Sequence, residues 1–209
     1  MCLSWSGGGK AEANRPFWPG GTPGYPLNGG PEHLWAPFLF FEDLSEGAPM
    51  FRVGVGYDSH RFDSSRPLIL GGVLFPDAPG LAGHSDGDAI AHAVIDAILG
   101  AASAGDVGRH FPPGDLAWKD ADSMDLLSRA VDILARKGFR PWNVDLVVIC
   151  ERPKIAPMAD DIRRSLAACL KVPDDRVSLK GKTNEGMGWI GAGEGLAVHA
   201  VAAVEEVEG

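Results

Sequence analysis

The chain has 209 residues, 45% hydrophobic and 22% charged, a balance that suits one globular domain with length to spare and excludes a membrane-embedded or wholly disordered chain. A formal net charge of -9 argues against a nucleic-acid-binding surface, and no apolar run reaches the length of a transmembrane helix. The acidic balance still allows an anionic substrate, because a bound divalent cation supplies positive charge locally.

Residues 1–49 are dense in glycine and proline, as in Gly7-Gly8-Gly9, Pro19-Gly20-Gly21 and Gly29-Gly30-Pro31, and no helical or strand period survives there. The segment has neither the basic start and apolar run of a secretory signal nor the arginines of a transit peptide. It is expected to be a disordered extension or a misassigned start. Met50 is then the natural first residue and 50–209 the folded domain.

Order begins at Arg52, where Arg52 to Tyr57 reads as a strand entering a Gly-rich turn and Leu68 to Leu74 as a short strand or hairpin. Ser85-Asp86-Gly87-Asp88 offers caps for a helix over Ala89 to Ala102, with Ile90, Val94, Ala97, Ile98 and Ala101 at helical spacing. A second helix is expected over Ser123 to Lys137, with Ser123 as N-cap and Gly138 as its stop. Val144 to Cys150 reads as a strand, Met158 to Leu170 as a helix, and Val177 to Lys180 and Leu196 to Val204 as further strands. Strands interleaved with helices predict an α/β fold, an α+β sandwich with the helices on one face of a sheet.

The three cysteines, Cys2, Cys150 and Cys169, are odd in number and irregularly spaced, which fits reduced thiols in the cytoplasm rather than a disulfide framework. Cys150 and Cys169 sit in apolar runs and read as small core residues.

Asp58 and His60 stand at i and i+2, so they share one side of an extended segment. His92 lies within the first helix, and Asp88 and Asp96, four residues to either side, share its face as candidates to hold the far imidazole nitrogen. Two histidines and one aspartate would leave a fourth position open, as catalytic zinc sites do and structural ones do not. On spacing alone, a surface histidine and an ordinary helix histidine explain the pattern better. The surrounding loops shift that balance. The turn His84 to Asp88 feeds a helix N-terminus, and Arg152-Pro153-Lys154 and Lys180 to Glu185 follow two strands, where α/β folds bind ligands.

Together these segments resemble the 2-C-methyl-D-erythritol 2,4-cyclodiphosphate synthase family of the non-mevalonate isoprenoid pathway. The likeness runs from about Arg52 to Val204 through Gly54-Val55-Gly56-Tyr57-Asp58-Ser59-His60, Ala82-Gly83-His84-Ser85-Asp86-Gly87-Asp88, His92-Ala93, Gly105-Asp106-Val107-Gly108, Phe111-Pro112, Ala121-Asp122-Ser123, Arg152-Pro153-Lys154, Lys182-Thr183-Asn184-Glu185 and Gly193-Glu194-Gly195. The resemblance implies cyclisation of 4-diphosphocytidyl-2-C-methyl-D-erythritol 2-phosphate to the 2,4-cyclodiphosphate with release of CMP. It implies zinc, or another divalent cation, on Asp58, His60 and His92, and a magnesium or manganese ion on Glu185. His84 and Thr183 would stabilise the transition state. Asp106, Gly108 and Phe111 would line the methylerythritol pocket, and residues 150–156, with Pro153 and Lys154, and 182–185, namely Lys182, Thr183, Asn184 and Glu185, would hold the cytidine diphosphate. Ser85, Asp115 and Trp189 complete the expected substrate contacts.

The family resemblance also implies a four-stranded mixed sheet with helices on one face, assembled as a homotrimer whose active sites lie between subunits. The many Gly and Ala residues of the sheet would then face the threefold partner. Neither nucleic acid nor membrane is an expected partner. Two positions depart from the pattern. Pro113-Gly114-Asp115 stands where an aspartate often directly follows Phe-Pro, and Ala192 replaces a common arginine associated with an anion in the trimer's central cavity. A metallophosphohydrolase and a non-catalytic metal-binding trimer are the rival readings. The second predicts loss of His84, Lys154, Thr183 or Glu185, and all four are present.

Overall fold

The computed structural model describes residues 50–207, so the expected extension at 1–49 lies outside the described residues. Among the described residues there are five strands, the first two joined directly and the others separated by helices. They are β1 (Phe51–Leu70), β2 (Val73–Leu81), β3 (Phe139–Ile149), β4 (Val177–Lys182) and β5 (Gly195–Glu206). The helices are α1 (Ala89–Ala101), α2 (Val107–His110), α3 (Ser123–Arg136), α4 (Ala159–Leu170) and α5 (Gly188–Gly191). The sheet order is β2-β1-β5-β3-β4, with only β3 and β4 parallel.

Five strands replace the expected four, and the reason lies in β1. It does not turn after Tyr57 but runs for 20 residues. Its first part, Phe51 to Arg61, pairs with β5, and its second, Phe62 to Leu70, pairs with β2. Irregular register between Asp63 and Leu68 marks the polar, proline-containing stretch, where a bulge absorbs residues that disfavour a regular ladder. Gly71 and Gly72 both take positive φ in the two-residue connection to β2, a geometry that glycine adopts without steric cost.

Helix α1 is buried almost all round, as its uniformly apolar sequence requires. It lies close on β1 because Gly54 and Gly56 have no side chains: a Cβ at Gly54 would stand 2.1 Å from Ala97 O, and one at Gly56 would stand 1.9 Å from Ala93 O. This corrects the expectation that the sheet's small residues face a subunit partner. Gly54, Gly56, Ala200 and Ala202 are buried within the chain instead, where they bring helix and sheet together. On the opposite face of the strands, Val53 (66% exposed), Val55 (69%) and Val201 (42%) stay open, beside Tyr57.

Helix α3 buries Leu126, Leu127, Ala130, Val131 and Leu134, and Gly138 follows it at positive φ as expected. Its N-cap is Asp122, which accepts from Met124 N, and not Ser123. An aspartate one residue earlier reaches the free N–H groups equally well, which frees the Ser123 hydroxyl for another use. Among the described residues no helix is long and apolar enough to cross a membrane. Cys150 is buried, Cys169 packs against the core, and burial pushes both thiols up to about 11, so neither serves as a nucleophile.

Candidate active site

The close approach of α1 to β1 builds the centre of the site. Alternation along β1 carries Gly54 and Gly56 under the helix, and the next residues of the same parity, Asp58 and His60, emerge beside His92. Asp58 Oδ2 lies 2.9 Å from His60 Nε2 and 2.9 Å from His92 Nδ1, and one ligand atom from each residue falls within 4.8 Å of the others. One carboxylate oxygen and two imidazole nitrogens converging on a point form the donor set of a zinc-class cation. Tetrahedral bonds of about 2.0–2.1 Å would set ligand atoms about 3.3 Å apart. The two Asp58 contacts need open by only a few tenths of an ångström, so the residues fit the ion.

The backs of both rings are held. His60 Nδ1 donates to Ala82 O at 2.6 Å, leaving Nε2 directed at Asp58. His92 Nε2 sits 3.1 Å from Ser85 Oγ and 3.0 Å from Ser123 Oγ. The expected support from Asp88 or Asp96 is therefore corrected, because backbone N–H groups claim both carboxylates. Asp88 is fully buried and accepts from Gly71, Gly72, Ile90 and Ala91, tying the β1–β2 turn to the start of α1. Burial pushes its carboxyl up to about 6 although those donors pull the other way. Asp96 accepts from Val107 N at 2.7 Å and so fixes the loop that opens α2.

Burial raises the carboxyl of Asp58, but hydrogen bonds and charge from His60 and His92 outweigh it and hold the group well below the usual carboxylate range. Burial lowers His60, and the Asp58 carboxylate more than reverses this, so the imidazole lies above its ordinary value. Opposite charge concentrated in a half-buried cluster is the state of a cation site whose ligands carry protons in the ion's place.

A cavity of about 220 Å³ opens on this cluster. His84 and Ser85 line it with the three ligand residues, and Gly108, Phe111, Pro113 and Trp118 form a largely apolar wall. The structure thus joins six of the expected residues (Asp58, His60, His84, Ser85, Gly108, Phe111) to His92. Asp106 and Asp115 are engaged locally: Asp106 accepts from Arg109 N and Asp115 from Ala117 N, each capping a short turn. Trp118 is an addition to the expected set. Its ring meets Phe111 edge-on, with centroids 5.1 Å apart, and its only sequence signal is an aromatic in a polar loop downstream of Phe111.

A second cavity, about 120 Å³, lies where the parallel strands β3 and β4 end, the place that parallel sheets offer ligands. Pro153, Lys154, Lys182 and Thr183 line it with Cys150 and Ile155. Thr183 Oγ1 donates to Glu185 Oε1 at 2.9 Å. Glu151, within the expected segment 150–156, accepts from Asn184 N at 2.9 Å and Gly186 N at 3.2 Å. Glu185 is not part of the Asp58–His60–His92 group. Trp189 lines neither cavity. It stands with Ser59, His60, Arg61 and Glu194 around a third, of about 250 Å³, whose Arg61 and Glu194 pair at 3.1 Å.

The register across the sheet relates the two ends. Asp58 pairs with Val198, Val198 with Val148, and Val148 with Gly181. Three strand spacings of about 4.8 Å therefore separate the cation cluster's strand from that of the Lys182–Thr183 loop, about 14 Å in all.

The family model described as the YgbB family matches residues 51–205. A 2-C-methyl-D-erythritol 2,4-cyclodiphosphate synthase from Gloeobacter violaceus is 52% identical over 163 residues, covering 78% of this chain and 100% of its own length. Among solved structures, a bifunctional IspDF protein from Campylobacter jejuni is 37% identical with a TM-score of 0.74, covering 77% of this chain, which spans 44% of that longer protein. A 2C-methyl-D-erythritol-2,4-cyclodiphosphate synthase in a CDP-bound form is 37% identical with a TM-score of 0.68, covering 73% of this chain and 99% of its own. With its sheet order, its Asp58–His60–His92 cluster and its loops at the ends of β3 and β4 all carried within the matched residues, the chain belongs to the YgbB family.

Proposed function

We infer that the chain converts 4-diphosphocytidyl-2-C-methyl-D-erythritol 2-phosphate to 2-C-methyl-D-erythritol 2,4-cyclodiphosphate and CMP. The observation that carries this is the three-residue cluster Asp58, His60 and His92, opening on a cavity with an apolar wall, in a chain of this family. An oxygen of the 2-phosphate attacks the β-phosphorus, a new P–O bond closes the ring, and the bond to the α-phosphate oxygen breaks as CMP leaves. The nucleophile is already an anion, so no strong general base is needed, and the protein contributes positioning and charge neutralisation.

When bound, zinc or another divalent cation on Asp58, His60 and His92, and a magnesium or manganese ion on Glu185, supply positive charge to the phosphate oxygens. Phe111, Trp118 and Gly108 shape the methylerythritol end and keep water from the reacting phosphates. His84 and Ser85 stand at the mouth of the cluster as donors to a phosphate. Lys154 and Lys182 neutralise the cytidine diphosphate, and the Thr183 hydroxyl, which donates to Glu185 in the free chain, turns from it to donate where charge develops.

Two features support a homotrimer that shares its sites between copies. The face bearing Val53, Val55, Tyr57 and Val201 is apolar and open, as a subunit interface is. The separation of the two ends across the sheet would let the cation cluster of one copy meet the β3–β4 loops of another. The enzyme would act in the cytoplasm, where its reduced cysteines persist. Phosphorus NMR of the reaction tests the activity: a cyclic diphosphate with CMP supports it, free inorganic phosphate points to a metallophosphohydrolase, and no turnover points to an inert metal-binding protein.

A further inference from the structure

The ring of His92 is held from behind by Ser85 and Ser123, and Ser123 has no part in the cyclisation described above. We propose that Ser123, backed by Asp86, is the positioning residue that orients His92 for the cation, a role that rests on cation binding by Asp58, His60 and His92. His92 Nε2 lies 3.0 Å from Ser123 Oγ, and the Ser123 hydroxyl donates to Asp86 Oδ1 at 2.5 Å. Asp86 Oδ2 also accepts from Ser123 N at 3.0 Å, so backbone and side chain of Ser123 are fixed by one carboxylate.

Proton counting sets the direction of this relay. The single Ser123 hydroxyl proton is committed to Asp86, whose carboxylate can only accept. Ser123 Oγ therefore meets His92 as an acceptor, and Nε2 must carry the hydrogen. With a cation in place of the proton that Nδ1 shares with Asp58, Nδ1 presents its lone pair to the point it shares with Asp58 and His60. Ser85 Oγ, at 3.1 Å from Nε2, shares the same hydrogen while accepting from Gly87 N.

An N-capping role for Ser123 does not explain the arrangement, because Asp122 already caps α3. Ser123 is fully buried, and its hydroxyl spends its bonds on Asp86, Ser85 and His92. The relay fastens the first turn of α3 to α1, so the ring is set by helix packing rather than by a loop.

The test is zinc affinity of the metal-stripped full chain, read by competition with a chromophoric chelator, together with the visible absorption of the cobalt-substituted protein. Ser123→Ala is expected to weaken zinc binding about 10- to 100-fold and to shift the cobalt bands, as loss of an outer-shell partner does. Asp86→Asn, which keeps the side chain's size, is expected to move both readouts in the same direction and carries the test if Ser123→Ala does not fold. A folded Ser123→Ala or Asp86→Asn with cobalt bands unchanged and zinc affinity within about twofold of the parent overturns the proposal, since an idle outer-shell group would leave both untouched. A parent chain that binds no zinc overturns the cation site itself, and the relay with it.

Discussion

The two ends of the sheet are built differently. At the β1–α1 end, the polar groups behind the cation cluster are tied down: His60 to Ala82, His92 to the two serines, Asp88 to four backbone N–H groups and Asp96 to the loop before α2. At the β3–β4 end, Lys182, Asn184 and Glu185 lie on a loop fastened mainly through Glu151 and by the short Thr183–Glu185 contact. The first end is a group of candidate cation ligands contained within one chain. The second is a set of donors and charges that would be completed by the anion proposed to lie across it. An ion-binding end gains from preorganisation, because ligand geometry sets affinity, whereas a nucleotide-binding end must admit and release a product.

Substitutions at the two ends should therefore fail in different ways. The largest effect is expected from His92→Ala, which should remove the cation and reduce kcat by about a thousandfold or more while the protein stays folded; metal content by elemental analysis and activity in the same preparation check it, and full activity in metal-stripped buffer contradicts it. Thr183→Ala should lower kcat by roughly a hundredfold, the scale of losing one transition-state donor, with bound zinc unchanged. Lys154→Ala should raise KM by roughly tenfold with a smaller change in kcat, as expected for a charge that binds substrate and transition state alike. If Thr183→Ala also lost zinc, the division between the two ends would collapse.

The smallest effect concerns pH. In the metal-free chain the raised His60 couples to the lowered Asp58. The His60 contribution to stability is fully present below its ordinary value of 6.5 and is lost as pH rises through its higher folded value. The Asp58 contribution is present above its ordinary value of 3.8 and is lost as pH falls through its depressed folded value. Melting temperatures of chelator-treated protein should thus fall as pH rises past neutrality, and His60→Gln should flatten that slope.

How much of the fold and site is legible in the sequence depends on the range of the interactions. Asp58 and His60 are visible through strand alternation, and the apolar register of α1 places His92 on a helix, so local periodicity and the family's motifs suffice to name the three residues that the fold brings together. The full extent of β1 is not visible, because the turn-type propensities of Asp63, Ser64, Ser65 and Pro67 produce only a bulge, and pairing with β2 resumes beyond it. The groups behind His92 escape sequence reasoning for a related cause. Asp88 and Asp96 lie on its helical face, but capping and loop bonds consume them, while Ser123, 31 residues away, reaches the ring through helix packing. Gly54 and Gly56 stand out as small residues, yet only the helix above them reveals what they admit.

The central claim is that the ordered cation end and the open loop end act as one site, contributed by different copies of the chain. It is tested most directly by mixing subunits of His92→Ala and Thr183→Ala, each nearly inactive alone, and assaying CMP release after exchange. With random mixing, an interface pairing an intact His92 with an intact Thr183 arises in roughly a quarter of cases, so about a quarter of the parent activity should return. Activity that stays at the level of the separate variants after complete exchange would contradict the account.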